Sequence, residues 1–118
     1  MSYCVKLQEN NKTVELNCSV VDSGINLDLN GSMFLAETDI TFNLCEYFKQ
    51  VFGEEGLRYL YGKKAKDCID LLNFGVLLFG SKKEGKDIWA RTAGNAGYFL
   101  NELLKWAKEY PEAIFKVY

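Results

Sequence analysis

Residues 88–110, IWARTAGNAGYFLNELLKWAKEY, decide how the rest of the chain is read. The spacing predicts one amphipathic helix with marked ends. Thr92 is a good N-cap, because its hydroxyl can accept from the free N–H groups of the first turn. Ala96, Leu100, Leu103 and Ala107 follow at helical spacing, and Phe99, Leu104 and Trp106 widen the apolar stripe. Pro111 cannot continue the helix and biases Tyr110 away from helical angles, so the helix ends near Glu109. The rest of the chain has to bury that stripe.

Upstream, the period is two. Tyr3, Val5 and Leu7 alternate with polar neighbours, and Val14, Leu16, Cys18 and Val20 do so more cleanly. Turn material separates these from Ile25–Leu29, and Asn30-Gly31 is a strong hairpin signal before Ser32–Thr38. The first third therefore reads as a four-stranded antiparallel meander. After Asp39 the period becomes helical. Asn43 and Glu46 suggest a capping box, Gly53 a helix end, and residues 54–61 a short helical turn. Residues 64–79 read as a second long helix, in which Gly75 permits a close crossing or marks an early end. Ala113–Tyr118 alternates again and reads as a closing strand. Strands, then three helices, then a strand specify a single α+β domain over residues 1–118, with an antiparallel sheet of four to five strands and the helices on one face.

The bulk numbers narrow the function classes. A chain of 118 residues with net charge −2 is ordinary for a globular domain and argues against a dedicated nucleic-acid partner. No segment is apolar enough over enough residues to span a membrane, and no leader is evident, so a cytoplasmic protein is expected. The four cysteines stand far apart without a CxxC pair, and there is no histidine. The usual general base, the His-paired nucleophiles and most metal sites are thereby removed. No catalytic residue, metal site or cofactor is expected, and the cysteines read as reduced and buried.

Charge is unevenly spread along the chain. Residues 1–57 carry nine acids and three lysines, a net of −6, whereas residues 58–118 carry eleven bases and seven acids, a net of +4. Two basic clusters result: Arg58, Lys63, Lys64 and Lys66 where the second helix opens, and Lys82, Lys83, Lys86 and Arg91 beyond its far end. The first set could cradle an anion on free helix N–H groups, although lysines there oppose the helix dipole. The small residues from Ala93 to Gly97 suit close packing, or an anion held with Arg91. Glu15, Asp28, Glu37, Asp39, Glu54 and Glu55 could form an acidic surface that competes for a basic groove on a partner.

The blocks Asp39–Asn43, Gly56–Lys63 and Ile88–Gly97, followed by Leu103–Ala107 and Pro111, resemble a group of small uncharacterised proteins encoded by phages and integrated mobile elements of bacteria. Their approximate pattern runs ITYN, GIR-x-LYGK, YW-x-x-T-x-GNA, LL-x-x-A and P. The likeness covers about residues 39–111, and this chain has Ile88-Trp89 where the group tends to an aromatic pair. The resemblance implies a phage-type protein that works by stoichiometric binding, with a CRISPR effector or other defence nuclease as the candidate protein partner. It supplies no catalytic residues. The expectation is a non-enzymatic, charge-complementary protein binder; the competing one is a small-anion, nucleotide or nucleic-acid module built on the basic clusters.

Overall fold

The computed structural model describes residues 2–16, 25–27, 34–82 and 90–118. Alternation sets the first strand, β1 (Ser2–Glu9): Tyr3, Val5 and Leu7 are buried, and Cys4, Lys6 and Gln8 lie on the opposite, half-buried side. Asn10 and Asn11 then take φ of 52° and 65°, the left-handed angles a tight hairpin demands and asparagine tolerates. The strand expected next is two short pieces around Val14, β2 (Lys12–Thr13) and β3 (Glu15–Leu16). Cys18, Val20 and the Asn30-Gly31 turn lie outside the described residues. β4 (Ile25–Leu27) precedes β5 (Phe34–Thr41), which runs past Thr38 and carries Asp39 on its exposed side. β6 (Ile114–Val117) closes the sheet.

Among the described residues all strand pairings are antiparallel. Val5 and Lys6 pair with β6 as well as β5, and Thr38 pairs with both Val5 and Ile25. The long strands therefore lie in the order β6-β1-β5-β4, with β2 on β1 and β3 on β5. The N-terminal strands thus return on themselves: the last of them lies beside the first. One face of this sheet is oily, with Tyr3, Val5, Leu7, Ala36, Ile40, Phe115 and Val117 buried in the same core as the helices.

The helices are α1 (Cys45–Phe52), α2 (Ala65–Phe79) and α3 (Ala93–Glu109). Thr92 caps α3 as its sequence predicts, its hydroxyl accepting from the Asn95 N–H at 3.1 Å. The helix is buried beyond one stripe: Gly94 to Leu100, Glu102 to Leu104, Trp106 and Ala107 are all covered. It is the interior spine of the domain rather than a surface helix. Its close neighbour is α2, and Gly75 sets their separation, since a Cβ there would come 2.5 Å from Leu100 Cδ1 and 3.2 Å from Val51 Cγ2. So Gly75 serves the close crossing, and α2 continues to Gly80, whose φ of 82° and N–H to the Val76 carbonyl end it.

The start of α1 differs from the capping box expected at Asn43. Thr41 is the cap, accepting from the Asn43 N–H at 3.2 Å and opening a 3-10 turn, Phe42–Leu44, that runs into the helix. Glu46 instead faces Lys49 one turn on, at 3.8 Å. Gly53 ends α1 with φ 85°, and the helical turn expected next is the 3-10 segment Gly56–Leu60. Cys68 is buried and Cys4 and Cys45 are half-buried, all three as free thiols. Among the described residues no helix is long and apolar enough to cross a membrane.

Candidate functional site

The first basic cluster meets an anion that belongs to the chain itself. At the start of α2 the Ala65 N–H donates to the Ala113 carbonyl at 2.7 Å and the Lys66 N–H to the Pro111 carbonyl at 2.9 Å. The donors that could have cradled a phosphate are spent on the loop after α3. Lys64 and Lys66 both reach Glu112 in that loop, at 3.4 and 3.1 Å. Their hydrogen bonds and charges, Lys66 foremost, hold the Glu112 carboxyl below its ordinary value. Lysines at this helix start are therefore accommodated by a clamp on Glu112.

Arg91 does not join them. It stands just before α3, where Gly97 meets Gly80 at the far end of α2, a helix about 22 Å long. Lys82 is exposed at that same far end, and Lys83 and Lys86 lie outside the described residues. The small residues at the start of α3 serve close packing: a Cβ on Gly97 would fall on the Gly80 carbonyl oxygen. Asn95, fully buried, donates from its amide to the Ala90 carbonyl at 2.9 Å.

The acidic set is dispersed. Glu37 is bound to Lys6 at 3.2 Å on the open face of the sheet, beside exposed Asp39. Glu15 lies at the other end of the sheet near Glu9 and Tyr110, whose hydroxyl donates to the Glu15 carbonyl at 2.6 Å. Burial and then the charges of Glu109, Glu9 and Glu15 push the Tyr110 hydroxyl up. Glu54 and Glu55 sit between α1 and the 3-10 segment, and Asp28 lies outside the described residues. Three of the acids lie beside bases: Glu37 beside Lys6, and Glu54 and Glu55 beside Arg58 and Lys63.

The folded chain assembles something the linear order hides. The segment after the 3-10 turn runs along the outer edge of β6, with the Gly62 N–H on the Phe115 carbonyl at 2.8 Å and the Phe115 N–H on the Lys63 carbonyl at 3.0 Å. This pairing sets Tyr61 beside Tyr118, edge to face with ring centroids 6.0 Å apart. The two residues are 49% and 55% exposed. Lys116 stands over the Tyr61 ring at 5.0 Å and Lys6 over the Tyr118 ring at 5.9 Å. Next along, Lys63 covers Tyr59 at 4.4 Å, and Arg58 lies 5.2 Å from the centre of Tyr3 and 5.8 Å from that of Phe42. Tyr61, Tyr59, Arg58 and Lys63 share an open depression of about 600 Å³ whose other lip is Glu54 and Glu55.

This ridge has a physical logic. Lys6 and Lys116 are direct cross-strand partners, a like-charged arrangement that opposes pairing. Glu37 and the tyrosine rings compensate it, the former by hydrogen bond and charge that push the Lys6 ammonium up. Of the residues singled out from sequence, Arg58, Lys63, Glu54 and Glu55 come together here. Tyr61, Tyr118, Lys6 and Lys116 complete the ridge, and no spacing along the chain signals them. No family model, curated protein or solved structure matches the chain.

Proposed function

We propose that this protein acts without catalysis, by stoichiometric binding of a protein partner through the ridge of Tyr61, Tyr118 and the four cations around them. The observation that carries the reading is the pair of exposed, mutually braced tyrosines, each with a lysine over its ring. Rigid aromatic side chains beside cations are the composition of interface hot spots, because they bury much apolar area while losing few rotamers. Glu54 and Glu55 on the lip favour a protein surface of mixed charge over a polyanion. The likeness to phage-borne proteins makes a defence nuclease such as a CRISPR effector the first partner to try.

Capture from host lysate tests this, comparing the natural chain with Tyr61→Ala/Tyr118→Ala. A partner should be held at near-equal stoichiometry and weakened by salt. The double substitution should cost roughly thirtyfold or more in affinity, given about 2 kcal/mol or more at a hot spot. If the variant captures the same protein undiminished, the ridge is not the site. Stacked rings flanked by cations also suit single-stranded nucleic acid. Tight, Tyr61-dependent binding to an unstructured oligonucleotide would replace a protein with a nucleic acid as the partner. Turnover at catalytic concentrations would refute the non-enzymatic reading.

A further inference from the structure

On the reading that the ridge is the binding face, its charges say what the partner brings. Ion pairs among the described residues take Lys6, Lys49, Lys64, Lys66 and Lys105. Arg58, Lys63 and Lys116 are in none of them, although Lys63 and Lys116 are half-buried. Lys63 and Lys64 make the contrast plain. Neighbours in sequence, they part at the edge of β6: Lys64 goes to Glu112, and Lys63 to the ring of Tyr59. The chain neutralises the cations beside the ridge and leaves three on it without a carboxylate.

A ring holds a cation without neutralising it. An exposed ion pair is ordinarily weak, because two long side chains must be fixed to make it. Here one side is fixed already: Lys116 over Tyr61 at 5.0 Å, Lys63 over Tyr59 at 4.4 Å, and Arg58 against Tyr3 at 5.2 Å. An incoming anion therefore finds cations in place. Tyr59 also carries Phe52, stacked at 5.8 Å, which leaves little of that ring for a base or for a partner's own cation. Glu54 and Glu55 then select among anions. A phosphate chain laid along the cations would run into these two carboxylates on the lip of the same depression. A peptide can set carboxylates on the cations and an uncharged or basic residue at the lip. We propose that the ridge receives an acidic peptide segment of the partner, with separate carboxylates on Lys116 and on the Lys63–Arg58 pair.

A peptide alternating glutamate with serine, titrated at millimolar concentration into the full chain and followed by NMR, tests this. The amide signals of Lys63 and Lys116 should move and saturate, and the peptide with glutamine for glutamate should leave them still. Lys63→Gln and Lys116→Gln should each weaken binding by about threefold, and Lys82→Gln, at the far end of α2, should not change it. Glu54→Gln with Glu55→Gln should tighten it by about threefold, since a repulsion is removed. Unmoved ridge signals, or an equal response to the glutamine peptide, overturn the inference. So does tighter binding of oligothymidylate than of the glutamate peptide, which makes the occupant a nucleic acid. With the partner captured from lysate, the two readings separate. A partner that needs Tyr61 and Tyr118 but ignores Lys63→Gln and Lys116→Gln keeps the ridge and removes the acidic segment. One indifferent to the tyrosines removes both.

Discussion

Gly97 of α3 packs against the backbone of Gly80, so close that a Cβ on Gly97 would clash with the Gly80 carbonyl oxygen. Helix propensity alone predicts that alanine at a helical glycine stabilises by about 1 kcal/mol. Here the obstacle is backbone, which cannot rotate away. Gly97→Ala should destabilise by about 3 kcal/mol or more. Gly75→Ala meets the flexible end of Leu100 and should cost a net of about 1 kcal/mol, overpacking minus propensity. Urea denaturation of the two variants gives the order directly; equal stabilities would mean the crossing relaxes.

The ridge tyrosines should be dispensable for folding. Tyr61→Ala and Tyr118→Ala should each change stability by less than about 0.5 kcal/mol, since both rings stand half in water. Tyr110→Phe, which deletes the 2.6 Å bond to the Glu15 carbonyl, should cost about 1 kcal/mol. Thermal unfolding separates the cases. A large loss at Tyr61 or Tyr118 would make the ridge structural.

Glu112 makes the junction of α3, α2 and β6 acid-sensitive. Its carboxyl is held below the ordinary 4.5 by Lys66 and Lys64. A carboxyl depressed in the folded state contributes stability above its unfolded value and loses it as pH falls through the folded one. Glu112→Gln should therefore be less stable than the natural chain at neutral pH, and the gap should close in the acid range below 4.5. Melting temperatures of both chains from neutral into acid measure this; a gap that persists in acid would place the effect outside the clamp.

The thiols differ in what protects them. Burial pushes Cys68 up to about 11, and burial followed by a hydrogen bond to Glu37 pushes Cys4 to about 11 although it is only half-buried. A value of about 11 against the ordinary 9.0 leaves roughly a hundredfold less thiolate at neutral pH, so alkylation of both should be slow. Glu37→Gln should speed Cys4 several-fold without touching Cys68, because it removes both the acceptor charge and the repulsion. Mass-resolved alkylation kinetics read each site, and an unchanged Cys4 rate would assign its protection to burial alone.

Local signals in the chain were enough for local structure. The cap at Thr92, the stop before Pro111 and the alternation of Tyr3, Val5 and Leu7 each act within a few residues, and each element formed where its signal stands. The α+β order was legible for the same reason. The α1 cap is not legible locally, because Thr41 sits at the end of a strand whose pattern masks it. Whether the helix start at Lys64 is free to cradle an anion is not legible locally, because its donors are taken by Ala113 and Pro111, almost fifty positions on. The ridge was invisible as a unit: Lys6, Arg58, Tyr61 and Tyr118 come from three distant stretches, and only the pairing of β6 with both β1 and residues 62–64 unites them.

That pairing also orders events in time. β1 is synthesised before β6, and Val5 pairs with Val117, 112 positions further on. Closing so long a loop is entropically slow. Until then one margin of β1, with its unsatisfied N–H and C=O groups, stands open to any extended peptide nearby. Until β6 is made, that margin of β1 is a surface that a chaperone would have to cover.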